Sequence, residues 1–330
     1  MNDVDAVVVG AGPCGLAAAV ALKQAGLRTM VFDASCLVSS IASYPTYVTF
    51  FSTPEKLAIG GVPFVIAGEK PTRRDGLEYY RKVATVHELP LRLFERVDRI
   101  DREGDGFLVH TLPRGGEPQT TRARAVVIAT GYFGSPNMLG VPGEDLPHVA
   151  HRFVEGHEAF GRAALVVGGG NSAVECALDL VRSGAGPVTL AHFGPTFDHV
   201  IKPWILPEFE RHVALGKITL RWNASVTAIE PGLVHVATTS GIESVRADHV
   251  YLMTGYTPTP GLLGALGVPF DQKTGVPAHD PATMETPVPG VFIAGVIASG
   301  NDANSVFIEN GRDHGALIAA ALRAEHRAGS

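Results

Sequence analysis

The sequence has few of the features that place a protein in a membrane, outside the cell or on nucleic acid. None of its apolar runs approaches the ~20 residues that a membrane-spanning helix needs. The N-terminal residues are acidic, and the apolar run Ala6–Val9 that follows is shorter than the core of a signal peptide. The net charge of -6 gives no basic surplus for nucleic acid or an anionic membrane. We therefore expect a cytoplasmic protein that acts on small molecules, with neither nucleic acid nor membrane among its partners.

Cysteine is also scarce. The 330 residues include three cysteines, Cys14, Cys36 and Cys176, which lie far apart in the sequence. They form neither a CxxC pair nor a cluster with the spacing of metal ligands, so we expect a reduced protein with no metal site. Because a single cysteine cannot store two electrons as an internal disulfide, any disulfide chemistry must follow a different route from that of a CxxC enzyme.

One pattern occurs twice, roughly 160 residues apart: a short buried strand, a glycine loop, a helix and a second strand. This is the βαβ unit of doubly wound sheets, which binds dinucleotides. An apolar share of 45% and a length of 330 residues suit two domains. The sequence therefore predicts two dinucleotide sites. The predicted strands and helices are Ala6–Val9, Leu16–Gln24 and Thr29–Phe32 in the first copy, and Ala164–Val167, Ala173–Ser183 and Val188–His192 in the second.

The first glycine loop, GAGPCG at residues 10–15, matches GxGxxG between a strand and a helix. The first glycine makes the tight turn, the second lets the backbone approach a pyrophosphate, and the third lets helix and strand pack closely. The free N–H groups at the start of the helix favour phosphate. Asp33 ends the second strand, where an acid binds the ribose.

The second glycine loop, GGGNSA at residues 168–173, repeats this arrangement for a second nucleotide. The strand that follows ends without the acid typical of NAD sites or the arginine typical of NADP sites. The nearest possible cations are His192 and Lys202, and the missing acid favours NADPH while leaving NADH open. The alternative for His192 is a surface histidine without a ligand. The residues expected at this site are Gly168, Gly170, Asn171, Ser172, His192 and Lys202.

Two glycine loops separated by the strand end Ala-Thr-Gly at 129–131 resemble the thioredoxin-reductase-like flavoprotein disulfide reductases. The chain lacks their CxxC and has Gly-Val at 295–296, where that wider family usually has Gly-Asp. With the more specific segments KPWILP at 202–207 and IENG at 308–311, it resembles the bacillithiol disulfide reductases of the YpdA type. Phe193 departs from that group, whose members usually have arginine there, and this leaves the usual NADPH preference open.

The resemblance implies an α/β fold with two Rossmann-like, three-layer ββα domains, as in thioredoxin reductase. It implies an FAD-binding domain formed by residues 1–133 and 256–330, an NAD(P)H-binding domain at 134–255, and a homodimer. A helix over about 304–323 would direct its N-terminus at the flavin. On this helix, Glu309 and Asn310 would contact the flavin; the alternative is that they lie on an exposed surface of the helix. The residues expected to bind FAD are Gly10, Gly12, Pro13, Gly15, Asp33, Thr130, Gly131, Gly295, Glu309 and Asn310.

The resemblance also places the proposed catalytic cysteine at Cys14. We hypothesise that a Cys14 thiolate forms a mixed disulfide with one bacillithiol, which reduced flavin then releases. A helix N-terminus lowers the pKa of a thiol, whereas neighbouring phosphates raise it. The alternative is that Cys14 is only a small residue of the loop. For Cys36 and Cys176 we expect buried thiols without a catalytic role.

Three other functions stay open. The thioredoxin-reductase-like ferredoxin–NADP reductases also lack CxxC and pass single electrons to an iron–sulfur protein. A flavin monooxygenase is suggested by the segment ATGYF at 129–133, although the chain is short for that group. A redox sensor of low turnover would use Cys14 as an oxidisable switch.

Overall fold

The computed structural model describes residues 2–132, 134, 136–198, 201–257, 261–302 and 305–328. Contacts divide the chain into two compact units. The first unit comprises Met1–Ala42, Val48–Ser135 and Thr257–Ser330, and the second comprises Ser43–Tyr47 and Pro136–Tyr256. The second unit therefore interrupts the first in sequence.

The first segment of the first unit opens with the predicted βαβ pattern. Its first strand is long and ends at a glycine loop, and the helix that follows starts three residues earlier than the apolar pattern indicates. The elements are β1 (Asn2–Val9), α1 (Pro13–Gln24), β2 (Thr29–Asp33), α2 (Ser39–Ala42), α3 (Pro54–Leu57), α4 (Arg73–Val86), β3 (Leu91–Leu93), β4 (Glu95–Glu103), β5 (Gly106–Pro113) and β6 (Gln119–Ile128).

The second unit repeats the βαβ pattern and adds an antiparallel meander that the apolar pattern does not reveal. A short 3₁₀ helix, His157–Ala159, precedes the repeat. The elements are β7 (Val149–Ala150), β8 (Ala164–Val167), α5 (Asn171–Arg182), β9 (Val188–Ala191), α6 (Leu206–Ala214), β10 (Ile218–Arg221), β11 (Ser225–Glu230), β12 (Gly232–Thr238), β13 (Gly241–Ala247) and β14 (His249–Leu252).

The chain then returns to the first unit with α7 (Gly261–Ala265), β15 (Val291–Ile293), a 3₁₀ helix at Gly295–Ser299, α8 (Ile308–Gly311) and α9 (His314–Ala328). The prediction of a single helix over about 304–323 is wrong, because the described residues of this region form two helices, α8 and α9. Asn304 lies outside the described residues, and the helical segment from residue 308 is broken by a turn at residues 312–313. The break makes His314 the first residue of a separate helix.

The sheet of the first unit has the strand order β3-β2-β1-β6-β5-β4, with β15 also paired to β6. Strands β3, β2, β1, β6 and β15 are parallel, and the β4–β5 hairpin joins β6 in antiparallel fashion. Strand β6 pairs with both β5 and β15 along the same edge, because β5 pairs with its first half and β15 with its second half. The carboxyl ends of β1, β2 and β6 therefore meet at one edge, where ligands bind in such sheets.

The second unit has three layers. Its parallel sheet has the order β10-β9-β8-β14-β7, and β11, β12 and β13 form an antiparallel sheet. Successive residues of a strand face opposite sides. Leu165 of β8 accordingly belongs to an apolar cluster with Val234 of the antiparallel sheet, whereas Val166 belongs to a second cluster with Leu178 of α5 and Phe209 of α6. The parallel sheet is thus buried between strands on one face and helices on the other.

These two units confirm the predicted fold class, which is α/β with two Rossmann-like domains. Residues 6–9 of β1 and 164–167 of β8 are almost fully buried, as strands covered on both faces must be. Within the described ranges, no helix is both long enough and apolar enough to cross a bilayer.

Candidate functional site: two glycine loops and a buried thiol

The first glycine loop has the geometry that the motif predicts. Gly10 has φ +113°, and a β-carbon there would lie 2.4 Å from the carbonyl oxygen of Ala129. A β-carbon on Gly15 would lie 2.0 Å from the carbonyl oxygen of Gly10. Any larger residue would push helix α1 away from the end of β1, so these glycines fix the start of α1 against the sheet edge.

The start of α1 is suited to bind a phosphate. Gly12 is the N-cap and has no side chain to bind the first N–H groups of the helix, and Pro13 occupies the first turn. A β-carbon built on Gly12 would have no neighbour within 4 Å among the described residues. Open space in front of unbound helical N–H groups is a fitting place for a pyrophosphate.

Asp33 lies beside this loop at the end of β2. Its Oδ2 accepts a hydrogen bond from Ala11 N at 2.8 Å, and its Oδ1 accepts one from Ser35 N at 2.8 Å. Each carboxylate oxygen has a second lone pair for a ligand hydroxyl. The arrangement therefore fits an adenosine ribose on this side of the loop, as FAD would present.

The Cys14 thiol is enclosed by two glycines of the C-terminal segment. A β-carbon on Gly311 would lie 2.9 Å from Cys14 Sγ, and one on Gly295, which has φ +80°, would lie 3.0 Å from it. The residue as a whole is half-buried, but its sulfur faces the protein. Burial, together with the Asp313 carboxylate, raises the pKa of Cys14 to about 12. Burial therefore outweighs the effect of the helix N-terminus, and the thiol is protonated at neutral pH.

Glu309 and Asn310 lie on α8, and their side chains bind protein groups. Glu309 Oε2 accepts a hydrogen bond from Ser52 Oγ at 2.8 Å. Asn310 Oδ1 accepts one from Phe307 N at 2.7 Å, and its Nδ2 donates to the carbonyl oxygen of Ser305 at 2.9 Å. The Asn310 amide thus caps the N-terminus of α8. The sequence predicts a flavin contact for Asn310 and does not predict this capping role.

Thr130 and Gly131 follow β6, as predicted. Thr130 is exposed, and Gly131 turns the chain with φ +66°. His314, the first residue of α9, is not predicted as a site residue from the sequence, yet its Nδ1 accepts a hydrogen bond from Gly295 N at 3.1 Å. Burial lowers the pKa of His314, and nearby His279 lowers it further, so the imidazole is neutral at pH 7. The break between α8 and α9 places His314 at the start of a helix beside Gly295, and the sequence pattern gives no sign of this break.

The second glycine loop repeats the first. Gly168 has φ +150°, and a β-carbon there would lie 2.4 Å from the carbonyl oxygen of Met253. Gly170 is the N-cap of α5, and a β-carbon on it would meet no described atom within 4 Å. Asn171 begins the helix and Ser172 is exposed beside it. The loop therefore offers the same uncapped helical N–H groups to a second dinucleotide.

The two cations expected at this second loop are both buried. His192 is 1% exposed, so its interpretation as a surface histidine is wrong. Lys202 is 6% exposed, and its Nζ lies 2.5 Å from Glu175 Oε1. Asn171 Oδ1 accepts a hydrogen bond from Lys202 N at 2.8 Å, which fixes that segment against the loop. The charge of Lys202 is therefore already balanced by an acid.

The remaining cysteines lie outside this arrangement. Cys176 is buried on α5, as predicted. Burial, together with the nearby Asp179 carboxylate, raises the pKa of this thiol well above its ordinary value. Cys36 is half-buried, so its expected place in the core is wrong. Among the described residues, no group of histidine, cysteine and acidic side chains has the geometry to hold a metal ion.

The chain is similar to proteins of one family over almost its whole length. The model of the pyridine nucleotide-disulphide oxidoreductases matches residues 7–295. Bacilliredoxin reductase Bdr of Bacillus subtilis is 45% identical over 96% of this chain and 97% of its own. The solved bacillithiol disulfide reductase Bdr (YpdA) of Bacillus cereus is 42% identical, with a TM-score of 0.96, over 98% of this chain and 100% of its own.

A ferredoxin–NADP reductase of Ignicoccus hospitalis is 33% identical over 89% of this chain and 90% of its own. The greater identity and coverage of the two Bdr proteins confirm the resemblance that the segments at 202–207 and 308–311 predict. With a family model that spans most of its residues, this chain belongs to the pyridine nucleotide-disulphide oxidoreductase family.

Proposed function

We propose that this protein is an NAD(P)H-dependent flavoprotein that reduces a low-molecular-weight disulfide, with bacillithiol disulfide as the substrate. The observation that carries the proposal is the full-length similarity to the Bacillus cereus protein named a bacillithiol disulfide reductase, on a chain without a CxxC pair. The overall reaction consumes one NAD(P)H and one proton per disulfide and yields NAD(P)⁺ and two thiols.

The first unit is the proposed FAD site. The uncapped start of α1 at Gly12 suits the pyrophosphate, and Asp33 suits the adenosine ribose. Thr130 and Gly295 each lie two residues after the end of a strand, β6 and β15 respectively, and these paired parallel strands end at the same sheet edge. When bound, FAD accepts a hydride equivalent from the nicotinamide nucleotide and makes two electrons available to a disulfide.

The second unit is the proposed NAD(P)H site. Its glycine loop presents the N–H groups of α5 to a pyrophosphate, with Gly168 and Gly170 in the positions that Gly10 and Gly12 hold in the first unit. The segment that carries Lys202 closes one side of the loop through Asn171. The sequence favours NADPH here because the strand end lacks an acid.

Cys14 is the proposed sulfur group of the reaction. Attack of its sulfur on the disulfide would form a Cys14 mixed disulfide and release one thiol, which takes the Cys14 proton. Two electrons and two protons, supplied by the hydride of the nucleotide and one proton from solvent, would then release the second thiol and restore Cys14. Because burial holds Cys14 as a protonated thiol, this route requires deprotonation during turnover.

The role of Cys14 is tested with Cys14→Ala beside the matched control Cys36→Ala. If Cys14 forms the mixed disulfide, Cys14→Ala reduces disulfide-dependent turnover by about 100-fold or more, while Cys36→Ala leaves it unchanged. Flavin reduction by the nucleotide alone should persist in both variants. Full disulfide-dependent turnover in Cys14→Ala would remove Cys14 from the mechanism without affecting the proposed reaction.

Two other acceptors are favoured by specific observations. The Bacillus subtilis relative is named for bacilliredoxin, which points to a protein disulfide, and the Ignicoccus hospitalis relative is named for ferredoxin. Both acceptors belong in the same assay. Reduction of bacilliredoxin without reduction of the free disulfide would show that the substrate is a protein disulfide. One-electron reduction of ferredoxin would show that the protein is a ferredoxin reductase and not a disulfide reductase.

The proposed function is tested by anaerobic oxidation of NADPH and NADH, followed at 340 nm, by the flavin-loaded protein. We expect rapid oxidation only with bacillithiol disulfide, and little with glutathione disulfide as a control of the same chemistry. The flavin released by denaturation should elute as FAD. Equal, slow oxidation with and without the disulfide would contradict the proposal.

A further inference from the structure

The two glycine loops can be aligned residue by residue from their backbone hydrogen bonds. Gly10 N donates to the carbonyl oxygen of Phe32 at 2.7 Å, and Gly168 N donates to the carbonyl oxygen of Ala191 at 3.0 Å. Phe32 and Ala191 therefore hold equivalent positions at the ends of β2 and β9. In each unit, the next residue along the chain is the one that faces the glycine loop.

That next residue is Asp33 in the first unit and His192 in the second. Asp33 accepts a hydrogen bond from Ala11 N, at the second position of its loop. The His192 ring fills the corresponding space, because a β-carbon on Gly169 would lie 2.3 Å from its Cε1. A buried, aromatic side chain thus replaces the acid that binds ribose in such loops.

A carboxylate nevertheless lies at the second loop, and it comes from a residue six positions after His192. Asp198 N donates to the carbonyl oxygen of Gly169 at 3.0 Å, which holds Asp198 beside the loop. A β-carbon on Gly169 would lie 2.5 Å from Asp198 Oδ2. Its Oδ1 lies 3.2 Å from His192 Nε2, and the side chain is 39% exposed. Asp198 therefore presents a negative charge to solvent where Asp33 does so in the first unit.

Among the described residues, two cations beside this loop already have acidic partners. Lys202 is paired with Glu175, as described above. Arg221, whose carbonyl oxygen accepts a hydrogen bond from His192 N at 2.9 Å, forms an ion pair with Glu243. A 2′-phosphate placed here would meet the Asp198 carboxylate and two cations that already have acidic partners.

The geometry points to Asp198 as the residue that sets the nucleotide preference, in favour of NADH over NADPH. This inference rests on the proposed function, because it concerns the nucleotide of the second unit. The Asp198 carboxylate would accept a hydrogen bond from the ribose 2′-hydroxyl of NADH and repel the 2′-phosphate of NADPH. An NADH preference is the opposite of the NADPH preference that the sequence favours. The sequence shows no acid at the end of β9, because the acid lies in the loop that follows.

The test is a calorimetric titration of the FAD-loaded protein with NAD⁺ and with NADP⁺, which measures binding without turnover. We expect the wild type to bind NAD⁺ at least about 10-fold more tightly, since a hydrogen bond to a charged group contributes about 1.5 kcal/mol or more. In Asp198→Asn, the ratio of the two dissociation constants should fall by about 10-fold. Glu210→Gln removes an exposed carboxylate from α6 of the same unit and should leave the ratio unchanged.

Asp198→Ser, which also removes the charge, should give the same loss of preference if Asp198→Asn folds poorly. Tighter binding of NADP⁺ by the wild type, or an unchanged ratio in both variants, would overturn the inference and leave the proposed reductase intact. Failure of both nucleotides to bind the folded, FAD-loaded protein would contradict the proposed function as well.

Discussion

Gly295 approaches Cys14 so closely that a β-carbon on Gly295 would lie 2.8 Å from the β-carbon of Cys14. The first turn of α1, at the end of the first glycine loop, therefore packs against the segment after β15 at a position where only glycine fits. Gly295 also has φ +80°, which L-residues rarely adopt.

Gly295→Ala should destabilise the first unit for both reasons. We expect a loss of about 3 kcal/mol or more, the sum of backbone strain and overpacking against Cys14. The matched control is Gly104→Ala in the β4–β5 turn, where φ is +60° and a β-carbon meets no described atom within 4 Å. Strain alone should lower its stability by about 1 kcal/mol. Equal urea midpoints for the two variants would show that the Cys14 contact is not tight.

The three cysteines should differ in their rates of alkylation. With iodoacetamide at pH 8, we expect Cys36 to react first, Cys14 at least about 10-fold more slowly because its pKa is raised, and Cys176 not at all in the folded protein. Labelled peptides are counted by mass spectrometry. The rate at Cys14 should rise with each increase in pH through 9.5. A Cys14 rate equal to that of Cys36 at pH 8 would mean that its sulfur is available as a thiolate.

His314 should make the stability of the protein depend on pH. Its folded-state pKa lies below the ordinary 6.5, so the unfolded chain takes up a proton that the folded chain does not. The contribution of the neutral imidazole to stability is therefore complete above pH 6.5 and is lost as the pH falls below that value. His314→Gln should give a flatter dependence of the urea midpoint between pH 7.5 and 5.5. Parallel curves for the two proteins would contradict the role of the Gly295 hydrogen bond.

Asn310 should act through the helix cap. Asn310→Ala removes the bonds to Phe307 N and to the carbonyl oxygen of Ser305, and should cost about 1–2 kcal/mol of unfolding free energy. Asn310→Asp keeps the acceptor for Phe307 N and should recover about half of that loss. FAD content per protein should stay unchanged in Asn310→Asp. A loss of FAD in the Asp variant would instead support the flavin contact that the sequence predicts.

Much of the fold could be predicted because its strands are buried on both faces. The runs at 6–9 and 164–167 are wholly apolar and end in glycines, so their βαβ context is visible in the sequence alone. Strands β11 to β13 could not be predicted in this way, since only their inner residues, such as Val234 and Val236, are buried and the rest are partly or fully exposed.

The candidate sites were predictable to the extent that they depend on local motifs. The loops at 10–15 and 168–173 follow from glycine spacing. The positions of Asp198 and His314 do not, because each depends on how an irregular segment folds back onto a strand end. A seven-residue offset after β9, or a break inside a helix, leaves no periodic signal in the sequence.

The count of thiols released per NAD(P)H oxidised tests the proposed reaction most directly. The flavin-loaded protein is incubated anaerobically with limiting nucleotide and excess bacillithiol disulfide, and free thiol is titrated at completion. We expect two thiols for every nucleotide oxidised, with no oxidation when the disulfide is omitted. Nucleotide oxidation that releases no thiol, or that continues at the same rate without the disulfide, would contradict a disulfide reductase.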